Sequence, residues 1–320
     1  MSRYKRESEL VAELRKRFPP GPGVEIGIGD DAAVVKVGDT ALITTDMLVE
    51  GVHFTQGQEA DTGELAMIAN ISDIAAMGGR PLYAVVSVGL PKDAEFDLDS
   101  FMDGLADLDV PVVGGDTVSA PCVCISIAMI GEPGPAGPVL RSGAQSGDLL
   151  CVTGRLGARS AVVLLRKEID ASGRDYPKGG MTTLMSARSR GRVREGMAAA
   201  GAGAKAMIDV SDGLGTDADH LAEGSGTGLR VLASNVPVAD GVTEAAGFLG
   251  IDAVRLVVTG GEDYELLIAI HPHDLEMLRD AVAPTDLSVV GEFTNGAARE
   301  IEWPDGSHEP LSGLGWDHLA

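Results

Sequence analysis

Six short acidic segments carry the chemistry that can be read in this chain: GIGDDAAVV, ITTDMLVEGVHF, NISDIAAMGG, VVGGDTVS, IDVSDGL and GGEDYELL. They hold Asp30, Asp31, Asp46, Asp73, Asp116, Asp209 and Asp212, each beside glycine, serine or the end of an apolar run. Such carboxylates suit hard divalent cations, and Mg²⁺ takes one or two of them together with phosphate oxygens and water. Gathered in one cleft they would repel one another, and a multi-metal site is the arrangement that would make the cluster tolerable.

Each residue also has a structural reading. Asp30 and Asp31 could make an Asx turn, Asp212 could cap a helix opening at Gly213-Leu214, and Asp209 could pair with a buried arginine. Asp73 lies within a strongly apolar helix and shares a face with Asn70, where an unpaired carboxylate would be costly to bury. His53 could be a half-buried strand histidine. The pairs Gly114-Gly115 and Gly260-Gly261 could be tight turns or points of close ligand approach. Arg141 could be a surface charge or a phosphate clamp, and Trp316 a packing anchor or a stacking platform for a heterocycle. Taken singly, none of them decides the function.

The elements that must position these residues alternate between strand and helix. Apolar runs at 32–37, 41–45, 83–90 and 122–130 read as strands. Asp61 and Glu64 form a capping-box pattern before LAMIANISDIAAMGG, an apolar helix that Gly78-Gly79 ends. A short amphipathic helix is expected before Pro19-Pro20. Residues 131–148, GEPGPAGPVLRSGAQSGD, form the best linker and place a boundary between units 1–138 and 139–320. Beyond it LLCVTG, AMIDVSDGL and YELLIAI are each followed by a helical pattern, so the second unit is α/β as well.

At 320 residues two domains are the natural expectation. No apolar run approaches the roughly 18 residues of a membrane span, which reads as soluble and cytoplasmic. The formal charge of −23 argues against nucleic acid and anionic membrane as partners, so a bound phosphate compound needs metal ions, backbone N–H groups or arginines. Cys122, Cys124 and Cys151 lack zinc spacing and read as buried free thiols. There is no G-x-x-x-x-G-K-[ST] loop, no G-x-G-x-x-G turn and no protein-kinase signature.

Taken in order, the six motifs resemble thiamine-monophosphate kinase, a family within the superfamily named for aminoimidazole ribonucleotide synthetase. The likeness runs from Glu25 to GLGWDH, and VEGVHF and GGEDYEL separate this branch from its relatives. It implies a two-domain α/β (α+β) fold. The N-terminal domain would form the sheet of a homodimer, and the C-terminal α/β domain would pack against it. It implies that Asp31, Thr44, Thr45, Asp46, Asp73, Asp116, Asp209 and Asp212 hold several Mg²⁺ ions. Gly115, Asp116, Arg141 and Ser211 would contact ATP, and His53, Glu262 and Trp316 the thiamine monophosphate. Two stretches depart from the family pattern. FMDGLADLDVPVVGGDT is short, with Leu108 or its neighbours where relatives often carry a tyrosine, and SARSRGRVREG lacks the usual prolines.

The implied reaction is direct transfer of the γ-phosphoryl group from ATP, giving thiamine diphosphate and ADP in thiamine diphosphate biosynthesis. In-line positioning and charge neutralisation dominate such transfers, so no catalytic side chain and no phosphorylated enzyme residue are expected. The rivals are another ATP-dependent synthetase of the superfamily and a non-catalytic, nucleotide-binding maturation scaffold. The absence of an N-terminal cysteine and the presence of VEGVHF weigh against the synthetases.

Overall fold

The computed structural model describes residues 24–26, 33–37, 39–55, 57–91, 96–187 and 190–316. Asp30, Asp31 and the expected N-terminal helix lie outside these residues. The N-terminal half builds a six-stranded sheet in the order β1-β2-β3-β6-β4-β5. Its strands are β1 (Val24–Ile26), β2 (Ala33–Val37), β3 (Asp39–Val49), β4 (Gly79–Leu90), β5 (Val112–Ser119) and β6 (Cys124–Pro133). All neighbours run antiparallel except β4 and β5.

Helix α1 (Glu59–Ala76) lies on one face of this sheet, with α2 (Leu98–Ala106) beside it. Period-2 alternation along β6 sends Ile125, Ile127 and Met129 into the core beneath α1 and leaves Ile130 outside. Leu108 packs against that core. The capping box does not form. The helix begins two residues before Asp61, with Gln58 at its N-cap, and Asp61 pairs instead with Arg166 at 3.3 Å.

The second sheet has seven strands in the order β13-β12-β9-β11-β7-β10-β8. They are β7 (Leu149–Thr153), β8 (Ala206–Asp209), β9 (Gly228–Leu232), β10 (Leu266–Ile270), β11 (Leu287–Thr294), β12 (Arg299–Glu302) and β13 (His308–Pro310). Strands β8 and β10 are buried at every position, because helices cover both faces. One face packs under α3 (Ala158–Ser172), α6 (Leu214–Ser225), α7 (Val242–Leu249) and α8 (Ala253–Thr259). The other carries α5 (Val193–Gly201), which follows α4 (Lys178–Ser186) in the chain, and α9 (Leu275–Val282), which follows β10.

Helix α1 is apolar almost all round because it is shared. Leu65, Ile68 and Ile74 face the first sheet, while Ala75 and Ala76 join Met207 and Ile268 of the second. A β-carbon at Gly196 of α5 would stand 2.1 Å from the Ala75 carbonyl, so this helix crossing needs glycine. The segment expected to link the halves is packed rather than loose. Val139 and Ala144 are buried, Val139 N–H donates to the Met77 carbonyl at 3.0 Å, and the Leu140 carbonyl accepts from Met207 at 2.9 Å.

The cysteines depart from expectation. Only Cys151 is buried, and burial pushes its thiol up to about 12. Cys122 and Cys124 are half-buried with their sulfurs 3.6 Å apart.

Candidate active site

Two of the acidic segments lie within strands rather than in turns. Asp46 is inside β3, in register with Ile127, and Asp116 is inside β5, in register with Ser87. Strand alternation buries Thr44 on the α1 side and turns Thr45 to solvent. The Thr44 hydroxyl donates to the Asp73 carboxylate, which gives the carboxylate in the apolar helix its partner. Gly115 and Asp116 are exposed on the edge strand. Two strands separate β5 from β3, roughly 14 Å at ordinary strand spacing, so Asp116 stands apart from Asp46 within the chain. His53 follows β3, and its Nδ1 accepts the Val49 N–H at 2.9 Å. An Nδ1 that accepts carries no proton, so the ring's N–H is on Nε2 in this arrangement.

In the C-terminal half, Asp209 ends β8 and is buried. The loop of Ser211 and Asp212 that follows is held by Asp217 in the first turn of α6. One oxygen of Asp217 accepts both the Ser211 and Asp212 N–H groups at 3.0 Å. Burial raises the Asp217 carboxyl well above the usual range, and Asp212 and Asp209 raise it further against the opposing charge of Arg141. The Arg141 backbone sits at the other end of α6, where its carbonyl accepts from Ser225 at 3.2 Å.

The GGEDYE turn docks on the same loop through backbone bonds. Glu262 N–H donates to the Ser211 carbonyl at 2.7 Å, and Tyr264 N–H to that of Val210 at 2.8 Å. A β-carbon at Gly261 would lie 2.2 Å from the Ser211 carbonyl, so the approach requires glycine. Glu262 and Tyr264 hold φ of 64° and 51°, left-handed values that side chains adopt only where the surroundings enforce them. The C-terminal GLGW closes the loop from the other direction, with Trp316 N–H donating to the Asp212 carbonyl at 2.9 Å. Its indole is half exposed.

Alternating residues of the turn do different work. Asp263 is buried, and both its oxygens accept the Gly157 N–H, at 2.8 and 2.9 Å, at the start of α3. Glu265 is buried against Thr153 and Arg192, each at 2.6 Å. Glu262 remains partly open and pairs with Arg159 at 3.0 Å. Tyr264 crosses into the core of the N-terminal half. Burial pushes its phenol well up, and the charges of Glu262, Asp46 and Asp209 act in the same direction. Asp46 from the first sheet and Asp209 from the second therefore bear on one hydroxyl.

Residues 29–132 match the AIR synthase related protein N-terminal domain, and residues 145–304 match the C-terminal domain of the same family. The chain belongs to the AIR synthase related protein family. Thiamine-monophosphate kinase of Mycobacterium tuberculosis strain H37Rv is 37% identical over 309 residues, covering 91% of this chain and 86% of its own length. The Halobacterium salinarum enzyme of that name is 38% identical over 295 residues, covering 91% and 94%. Among solved structures, AaThiL complexed with AMPPCP and TMP aligns with a TM-score of 0.84 at 29% identity, covering 99% of both chains.

Within this family fold backbone bonds bring Ser211, Asp212, Glu262 and Trp316 together, with Asp217 holding the loop. Thr44 and Asp73 form a pair on the α1 side, while Thr45, Gly115 and Asp116 share exposure on the first sheet. The Asp and Thr side chains among the expected metal ligands offer oxygens, the set a hard divalent cation takes, so they fit Mg²⁺ in kind. Among the described residues, no three His, Cys, Asp or Glu side chains form a ready metal cage. Sequence reasoning missed Arg159, Asp217 and Tyr264. Tyr264 was inside a quoted motif, and Asp217 stands five residues after Asp212 at a helix start.

Proposed function

We propose that this protein transfers the γ-phosphoryl group of ATP directly to thiamine monophosphate, giving thiamine diphosphate and ADP in thiamine diphosphate biosynthesis. The observation that carries the reading is the docking of the GGEDYE turn on the Ser211–Asp212 loop, with Tyr264 of that turn packed into the core of the N-terminal half. It occurs in a chain aligned along its whole length with a kinase bound to an ATP analogue and TMP.

Asp31, Thr44, Thr45, Asp46, Asp73, Asp116, Asp209 and Asp212 would hold Mg²⁺. The bound ions would neutralise charge on the phosphates and on the transferred group. Gly115, Asp116, Arg141 and Ser211 bind ATP. Gly115 lets phosphate approach the backbone, and the planar guanidinium of Arg141 suits phosphate oxygens. His53 offers its Nε2 proton to the acceptor phosphate, whose own oxygen is the nucleophile at neutral pH, so no strong general base is required. Glu262 and Trp316 orient the acceptor.

Residues 1–138 form the nucleotide and dimerisation unit, and 139–320 the unit that closes on it. Met47, Tyr83, Val85, Val118 and Ile130 are exposed on the first sheet, and a second copy of this chain is the occupant we assign to that face. No described helix is long and apolar enough to cross a membrane. With the acidic charge, this supports a cytoplasmic enzyme that binds neither membrane nor nucleic acid.

The test is a coupled assay for thiamine diphosphate from ATP and thiamine monophosphate, with and without Mg²⁺, using unphosphorylated thiamine as control. Magnesium-dependent product from the monophosphate alone is the expected result. Nucleotide binding without turnover would point to a scaffold instead.

A further inference from the structure

The connection from β5 to β6 brings two of the three cysteines together. Cys124 opens β6 in register with Val49 of β3 and Gly89 of β4, and Cys122 stands in the bend just before it, beside the exposed Pro121. Their sulfurs are 3.6 Å apart and both residues are half-buried, whereas Cys151 is fully enclosed. Val123 between them is buried and holds Glu50 at two points. Its carbonyl accepts the Glu50 N–H at 2.9 Å, and its own N–H donates to the Glu50 carboxylate at 3.0 Å. Glu50 belongs to the VEGVHF turn. There Gly51 N–H donates to the Phe54 carbonyl at 2.8 Å, His53 N–H to that of Val49 at 3.0 Å, and Val49 N–H to the His53 ring at 2.9 Å.

We propose that Cys122 and Cys124 form a dithiol site oxidised by peroxide, whose reversible disulfide displaces the VEGVHF turn and weakens use of the acceptor. The thiol chemistry goes beyond the proposed function, and only its effect on the acceptor rests on that function, through His53. Burial holds the Cys124 thiol protonated, with the Cys122 sulfur and the Glu50 carboxylate acting in the same direction. Cys124 is therefore the donor of the pair, and Cys122 is the sulfur that attacks. It takes one peroxide oxygen, the O–O bond breaks, and the hydroxide released leaves as water with the Cys122 proton. The Cys124 sulfur then attacks the Cys122 sulfenic acid, whose hydroxyl leaves as a second water with the Cys124 proton. Two thiols are oxidised to one disulfide, and one peroxide is reduced to two waters. An S–S bond is about 2.05 Å long, so the sulfurs must close by roughly 1.5 Å. Ladder bonds to β3 and β4 hold Cys124 on both sides. The movement falls on the Cys122–Val123 peptide, whose N–H holds the Glu50 carboxylate.

The test treats the full chain with hydrogen peroxide and maps its cysteines by peptide mass. The expected product joins Cys122 to Cys124 with the loss of two hydrogens, is restored by dithiothreitol, and leaves Cys151 unmodified. Cys124→Ser should stop at a Cys122 sulfenic acid that dimedone traps, whereas in Cys122→Ser the remaining Cys124 should react at least about tenfold more slowly. In the oxidised protein, amide hydrogen exchange at Glu50 and His53 should quicken at least about fivefold, and the acceptor KM should rise about fivefold. Both changes should reverse on reduction and be absent from peroxide-treated Cys122→Ser. Oxidation that ends at sulfenic or sulfinic acid without an S–S bond overturns the site. A disulfide that leaves exchange at Glu50 and His53 unchanged overturns its coupling to the turn. Mass and exchange are read without turnover, so a protein that makes no thiamine diphosphate would overturn the functional reading alone.

Discussion

The seven-stranded sheet has helices on both faces, whereas the six-stranded sheet is covered on one face and leaves Met47, Tyr83, Val85, Val118 and Ile130 to solvent. The difference follows from the shared helix. Helix α1 serves both sheets, so the N-terminal half contributes its main helix to the junction, and among the described residues no helix packs on its outer face. The buried carboxylates are also unequally divided. Among the described residues Glu59 is buried in the N-terminal half, whereas Asp148, Glu195, Asp209, Asp217, Asp219, Asp263 and Glu265 are buried in the C-terminal half; backbone N–H groups, Thr153 or Arg192 hold Asp217, Asp263 and Glu265. One half is a finished scaffold that fixes a turn and a loop; the other is an incomplete sandwich that presents Asp46 to them.

The largest expected effect tests whether the halves act as one site. Asp46→Asn and Asp209→Asn should each lower kcat/KM about a thousandfold. Because groups that act as a unit are not additive, the double variant should lose at most about tenfold more. Fully multiplicative losses in steady-state kinetics would break the comparison.

The open face comes next. Val85→Lys should weaken self-association about a hundredfold, close to 3 kcal/mol, in sedimentation analysis. Leu164→Lys, at an exposed position on α3, should leave it unchanged. Equal behaviour of the two variants would remove the distinction between the sheets.

Asp263→Ala should cost about 2 kcal/mol in urea unfolding, because it leaves the Gly157 N–H buried without its acceptor. A loss below about 0.5 kcal/mol would mean that the buried carboxylates do not brace the C-terminal half.

The smallest effect is a pH slope. Burial raises the Asp263 carboxyl well above the usual range. Between an ordinary carboxylate value of about 4 and that raised value, the folded protein keeps a proton that the unfolded chain has released. Stability therefore falls as pH rises through that window. Asp263→Asn keeps an oxygen for Gly157 and should flatten part of the slope in Tm measured across pH. An unchanged slope would assign it to Asp217 and Glu265 instead.

Much of this could be read along the chain. The alternating run at Cys122–Ile130 matches β6, which spans Cys124–Pro133, and LAMIANISDIAAMGG forms the helix ended by Gly78. The demand that Asp73 have a partner was legible, because a carboxylate in an apolar helix needs one. That the partner is Thr44 was not, since 29 residues separate them and only strand register decides the pairing. The Asp61 capping box failed because Arg166, across the junction, takes the carboxylate. Asp116 gave no sign that it lies within a strand, because an acidic residue beside glycine reads as a turn in isolation, and Asp46 stood just past the expected strand 41–45, which β3 carries on to Val49.

The order of polar and apolar residues determined the element types, the acidic motifs and the absence of familiar phosphate loops, since these depend on neighbours a few positions apart. Tertiary structure alone decided which faces are closed. It also decided that the GGEDYE turn and Trp316 converge on the Ser211–Asp212 loop, and that Tyr264 reaches the core of the other half. Those outcomes rest on close backbone approaches, such as Gly261 against Ser211, and on burial shared between distant segments, which local sequence does not encode.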